Sequence, residues 1–166
     1  MLKIKRTEIV SSGSTSPFVV VGRPAGIDYN ASTMANRLQL LGIFHLSRGG
    51  SSVTAFRSDK ARALLAYVAT ESGQIHDRAT LATLLWPELP DSAAKTNLRN
   101  VLSNLRKIAP DFLDIARNTV SWAGDEQTAV DVHNFLSHID REPAKAVEQY
   151  QGEFLGGFSL PDAPLF

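Results

Sequence analysis

The sequence contains no cysteine, which excludes disulfides, thiolate metal sites and cysteine nucleophiles. Such a chain is compatible with the cytoplasm, where we place it, without requiring it. No apolar run approaches the roughly 18–20 residues of a membrane span, and Phe18 to Val21 is only four residues long. The basic start through Arg6 meets Thr7 and Glu8 where a secretory signal needs an apolar core. Catalytic signatures are missing too: there is no Gly-x-Ser-x-Gly, no P-loop and no Gly-x-Gly-x-x-Gly. The histidines His45, His76, His133 and His138 are dispersed, and the one close pair, five residues apart, falls on different helix faces. Asp131 and Asp140 have no acid–base partner arrangement, and Gly156-Gly157 signals little beyond a turn. An enzyme active site, a cofactor, a metal and a small-molecule substrate are therefore not expected.

Acidic residues are absent from one more place. Between Ser92 and Ile108 there is neither Asp nor Glu. This stretch reads as a single amphipathic helix: Ala94, Leu98, Val101, Leu102 and Leu105 recur at the i, i+3, i+4, i+7 spacing of a buried face. Thr96, Arg99, Asn100, Ser103 and Lys107 lie opposite, with Lys95 and Arg106 along one flank. Exposed helix faces usually mix both signs to gain i, i+4 pairs. Cations and small hydrogen-bonding groups alone suit phosphates and base edges instead. From the helix by itself, a merely solvated face remains equally open.

The formal net charge of zero hides an asymmetry. Residues 1–37 carry five basic and two acidic groups, residues 38–123 ten and seven, and residues 124–166 two and eight. A mildly basic body thus precedes an acidic tail, which favours a polyanionic partner for the body without demanding one.

Residues 1–37, with a Ser/Gly cluster from Ser11 to Ser16 and no sustained period, read as a disordered or weakly ordered leader. Met34 is an alternative start of translation. Residues 38–123 read as one domain. A strand from Leu38 towards Leu46 is followed by a turn at Gly49-Gly50 and a second strand near Val53 to Phe56. Ser58 stands where a cap would precede a helix buried through Ala61, Leu64, Leu65 and Val68, which Gly73 ends. Asp77 would cap a short helix through Leu81 and Leu85 to Trp86, closed by Pro87. The amphipathic helix comes next and stops before Pro110. Leu113 and Ile115, then Val120 and Trp122, alternate around the turn Arg117-Asn118 as in a β-hairpin.

Strands, three helices and a hairpin in this order predict an α+β winged helix–turn–helix. One helix would cross the DNA backbone, residues 92–108 would lie in the major groove, and Arg117 at the hairpin tip, helped by Asn118 and Thr119, would reach the adjacent groove or its phosphates. Arg57, Lys60 and Arg78 stand near helix starts, where a phosphate contact and ordinary surface exposure are both open. Trp86 reads as a core anchor between helices and Trp122 as hairpin packing. Residues 124–166 change character: Val130-Asp131-Val132 is a short strand or a cap before a helix through Phe135 and Ile139, and a further helix covers about Pro143 to Tyr150. Phe154, Leu155, Phe158 and Leu160 have no evident partners, so this tail reads as the truncated start of a helical domain, poorly protected on its own.

Four segments carry a resemblance. They are Leu38-Gln-Leu-Leu-Gly-Ile-Phe44, the run from Phe56 to Tyr67, Leu84-Leu-Trp-Pro-Glu-Leu-Pro90 with Asn97 to Arg106, and Tyr150-Gln-Gly-Glu-Phe-Leu-Gly-Gly-Phe158. In this order they resemble the Streptomyces antibiotic regulatory protein class of bacterial activators and related large regulators. Those proteins join an OmpR-like winged helix to a bacterial transcriptional activator domain (BTAD) of tetratricopeptide-like helical hairpins. The resemblance implies sequence-specific binding to direct repeats in promoter DNA, with a homodimer on the repeats and recruitment of RNA polymerase. Its DNA-contacting positions would fall on Lys95, Thr96, Arg99, Asn100, Ser103, Arg106, Lys107, Arg117, Asn118 and Thr119. Two other readings stay open: a protein-interaction module using the same basic face, and the regulatory end of a larger ATP-dependent signalling protein.

Overall fold

The computed structural model describes residues 36–125 and 128–163. The expected leader up to residue 35, including Met34, lies outside the described residues, whereas Asn36 and Arg37 already belong to a strand. The elements run β1 (Asn36–Gln39), β2 (His45–Arg48), β3 (Ser51–Ser52), α1 (Asp59–Thr70), β4 (Ile75–Asp77), α2 (Arg78–Leu85), α3 (Asp91–Ile108), β5 (Leu113–Ile115), β6 (Thr119–Trp122), β7 (Thr128–Val130), α4 (Asp131–His138) and α5 (Pro143–Gln149). Helices α1–α3 follow one sheet and precede a hairpin. This is the winged-helix arrangement.

The single strand expected from Leu38 to Leu46 is two strands. Gly42 takes φ of +94°, a left-handed turn conformation, so β2 folds back on β1 with Leu38 opposite Leu46. Gly49 and Gly50 both have positive φ (+55° and +76°), as a two-residue hairpin loop requires. The strand expected at Val53 to Phe56 lies two residues earlier, because only the Val53 N–H, bonded to the Leu46 carbonyl at 2.8 Å, continues the ladder. Phe56 instead packs edge-on against Phe44, ring centroids 5.4 Å apart.

Helix α1 is central: Ala61, Ala63, Leu64, Leu65, Ala66, Val68 and Ala69 are all buried. Neither Ser58 nor Asp77 makes the side-chain capping bond expected of it. Helix α3 buries the anticipated stripe of Ala94, Leu98, Val101, Leu102 and Leu105. After it, β5 and β6 form the hairpin, and β4 joins on the other side of β6. Trp122 meets Phe112 edge-on at 5.8 Å, the hairpin packing expected of it. A Cβ on Gly124 would come within 2.5 Å of the Trp122 ring, so any larger residue there must displace that ring.

The tail does not hang free. Strand β7 adds to the first sheet, parallel to β1, with Val130 opposite Leu38. The chain then turns into α4 and can no longer pair with β1, and the side chain of Asp131 takes over. Its carboxylate accepts the N–H of Leu40 (2.9 and 3.0 Å to its two oxygens), of Leu41 (2.8 Å) and of Val132 (2.8 Å). Asp131 is 3% exposed. Further on, Leu155 N–H donates to the Leu40 carbonyl and Gly156 N–H to that of Gly42, each at 2.7 Å. Leu155 is buried, and Phe154, Phe158 and Leu160 pack against the same core. The expectation that these four lack partners is therefore corrected: they close over the end of β1. Within the tail, the exposed large apolar residues lie instead on and beside α4 and α5, at Leu136, Ile139, Val147 and Tyr150.

Replacing Asp131 with Ala strands three N–H donors, two of them from β1's end. Asp131→Ala should lower stability by about 2–4 kcal/mol, read as a lower urea midpoint at unchanged m-value; an unchanged midpoint would remove Asp131 from this role. Burial pushes the Asp131 carboxyl up, against the opposing pull of the Leu41, Leu40 and Val132 N–H groups and of Arg37. With the folded value above the unfolded one, the proton-linked part of this group's contribution is full below the unfolded value and is lost as pH rises through the folded value. Asp131→Asn, which does not titrate, should flatten that part of the pH–stability profile.

Candidate nucleic-acid interface

Burial of one stripe of α3 leaves the opposite face to solvent. Lys95, Thr96, Arg99, Asn100, Ser103, Arg106 and Lys107 are all exposed. Arg117 and Asn118 are exposed between β5 and β6, and Thr119 is half-buried at the start of β6, opposite Asp77. The two groups of residues converge. A cleft of about 540 Å³ lies between the start of α2, the first half of α3 and the hairpin tip, and Asp77, Arg78, Lys95, Arg99, Arg117 and Asn118 line it. Asn100, Ser103 and Lys107 face solvent outside its lining, further along α3.

Several of these side chains have local partners. Lys95 Nζ pairs with Asp91 at 2.6 Å one turn back, a solvent-exposed i, i+4 pair that contributes little to stability. Arg99 Nη2 donates to Thr96 Oγ1 at 3.2 Å, and that hydroxyl donates to the Ser92 carbonyl at 2.9 Å. Arg106 is turned towards the hairpin, where Nη2 donates to the Ile115 carbonyl at 2.6 Å. A guanidinium has five donors, so this strut occupies only part of its capacity.

Arg78 is the residue sequence reasoning undervalued. Its backbone N–H donates to the Asn118 carbonyl at 2.8 Å and its Nη1 to the Arg117 carbonyl at 3.0 Å, so α2 holds the hairpin tip at two points. Burial lowers its basicity, and the positive charges of Arg106 and Arg99 lower it further. No local signal announces such a role, because both acceptors lie about forty residues away in sequence.

Asn104 was also missed. It sits in the buried stripe three residues after Val101, and its Oδ1 accepts the Arg57 N–H (3.1 Å) while its Nδ2 donates to the Ala55 carbonyl (3.2 Å). A polar side chain at an apolar helix position was the available clue.

Lys60, open to a phosphate role from sequence, is turned inward instead. It is 8% exposed, donates to the Leu85 carbonyl at 2.5 Å, pairs with Asp162 at 2.9 Å and lies 5.6 Å from the centre of the Trp86 ring. It ties the end of α2 to the tail, and Trp86 is the buried anchor expected beside it. His133 and His138 bond to the Ala69 and Asn134 carbonyls, at 2.8 and 2.7 Å. Among the described residues no His/Asp/Glu group is placed to hold a metal, and no helix is long and apolar enough to cross a membrane.

No protein-family model and no curated protein matches this sequence. A solved structure does: Mycobacterium tuberculosis EmbR, in complex with a low-affinity phosphopeptide, is similar at 22% identity with a TM-score of 0.61. The similarity covers 73% of this chain and 37% of that chain. The chain therefore spans little more than a third of EmbR's length, and what the two share is the fold.

Proposed function

We propose that this chain is the sequence-specific DNA-binding module of a bacterial transcriptional activator. The observation that carries the reading is the convergence of the face of α3 that carries no acid after Asp91 with the hairpin tip over one cationic cleft, while the opposite stripe of α3 is buried. The four segments that resemble the antibiotic regulatory protein class support it, as does the winged-helix architecture. No catalytic step belongs to this function.

In this reading α3 enters the major groove. Arg99, Asn100 and Ser103 read base edges, with Thr96 orienting Arg99 through the bond between them. Lys95, Lys107 and Arg117 hold phosphates, with Asn118 and Thr119 beside them, and Arg106 shares itself between a phosphate and the hairpin. The partners are promoter DNA, a second copy on a direct repeat, and RNA polymerase. In this reading the segment from residue 124 belongs to the tetratricopeptide-like activator domain, with β7 tying it to the first sheet, and Leu136, Ile139, Val147 and Tyr150 are its exposed apolar residues.

Neutralising about four to six phosphates gives log K against log salt a slope of about −4 to −5. Fluorescence anisotropy on promoter DNA across a salt series measures it, and a slope near zero rules the reading out. Truncation of Arg99 (Arg99→Ala) should weaken specific binding by about 1–3 kcal/mol if it reads a base, with little change on non-specific DNA. Equal losses on both duplexes would assign Arg99 to phosphates instead.

A further inference from the structure

Lys60 is a buried charge that the DNA reading leaves unused. It is the second residue of α1 and is 8% exposed. A cation buried in the first turn of a helix meets the positive end of the helix dipole as well as the cost of leaving water. Its ammonium has three N–H donors, and the fold answers it on three sides. One donor goes to the carbonyl of Leu85, the last residue of α2, where the final acceptors of a helix have no partner within it. The Trp86 ring lies 5.6 Å away, and the anion that pairs with Lys60 is Asp162 at 2.9 Å.

Asp162 belongs to the stretch after α5. That stretch is fastened to the end of β1, where Gly42 N–H donates to the Glu153 carbonyl and Leu155 N–H to that of Leu40, and Ala163 is buried beyond it. Exposed ion pairs contribute little, but here only one end is exposed: the Asp162 side chain is 66% exposed, whereas Lys60 is enclosed. The hydrogen bond from Lys60 holds the Asp162 carboxyl below its ordinary value. Asp162 is thus the half of the pair that can leave.

We propose that Lys60 and Asp162 form a clamp through which the segment after α5 holds the turn from α2 into α3, so that a tail residue outside the DNA-binding face sets the affinity of that face. The inference rests on the DNA reading for this consequence, but not for the clamp itself. Asp162 keeps the ammonium at Leu85, and the ammonium pins the end of α2, from which Trp86 to Pro90 lead directly into α3. When Asp162 withdraws, Lys60 is left as a buried cation with only a carbonyl and a ring. Its flexible stem then carries the charge towards water, and the end of α2 is released. Long-range electrostatics alone has the opposite sign, since removing an acid strengthens attraction to a polyanion.

Thermal melting and fluorescence anisotropy on a mixed-sequence DNA duplex, both with the full chain, test this. Asp162→Asn keeps the shape and removes the charge; it should lower the Tm and weaken DNA binding about two- to tenfold. Asp162→Glu keeps the charge and should restore both. Glu148→Gln removes an equal charge from α5, away from the clamp, and should leave binding equal or tighter. In a Lys60→Met background, where an apolar stem replaces the buried ammonium, Asp162→Asn should change neither Tm nor affinity. Binding by Asp162→Asn as tight as wild type, or tighter, would overturn the proposal. So would Asp162→Glu being as impaired as Asp162→Asn, or a loss from Asp162→Asn that persists beside Lys60→Met. If wild type shows no salt-dependent DNA binding, the DNA reading fails and the melting cycle decides the clamp: coupled losses keep it and additive ones end it. If wild type binds with the expected salt slope and Asp162→Asn is not weaker, the DNA reading stands and the clamp fails.

Discussion

Leu98, Leu102 and Leu105 are withdrawn from water almost completely against the rest of the core. Each contributes about 1.5–3 kcal/mol by being buried rather than exposed. Turning α3 by one residue, about 100°, would bring these leucines out and carry charged or amide groups in, at several kcal/mol more for each unpaired group. The rotation of α3 about its own axis is therefore fixed by packing. Everything presented on the other side, from Lys95 to Lys107, inherits its direction from that constraint. The hairpin adds the second coordinate, since Arg78 and Arg106 hold its carbonyls from α2 and α3.

The cations of the three helices and the hairpin thus divide by what they touch. Arg106 and Arg78 each give a donor to the hairpin backbone, Lys60 is turned into the interior, and Lys95 answers an acid on its own helix. Arg117 at the hairpin tip and Lys107 on α3 stay exposed. Basic residues read from sequence count charge without saying where it is directed. That is why Lys60 and Arg78, alike as arginine or lysine near a helix start, have opposite fates in the fold.

The helical periodicity of α3 and the alternation across the β5–β6 turn were legible because both are local patterns that burial imposes on nearby residues. The break at Gly42 was not, since Leu40, Phe44 and Leu46 keep the alternation of one continuous strand. Strand β4 left no signal either: Ile75 is 74% exposed, and the strand exists because β6 offers it a ladder. The role of the tail was hidden for the same reason. Asp131 looked like a helix cap or an isolated acid, and its acceptors' partners at Leu40 and Leu41 lie ninety residues upstream. Within the cleft, the cationic face of α3 could be read directly, but the grip of Arg78 on the hairpin could not.

That distance has a consequence for how the chain is made. The amides of Leu40 and Leu41 are completed by a side chain 91 and 90 residues later. At about 5–20 residues per second of synthesis, that side chain emerges roughly 5–20 s after them. Throughout that interval, and even once α3 and the hairpin have been synthesised within it, β1 has an open edge on the side that β7 will occupy. Translation speed between Leu41 and Asp131 thus sets how long an unpaired strand edge is offered to other nascent chains.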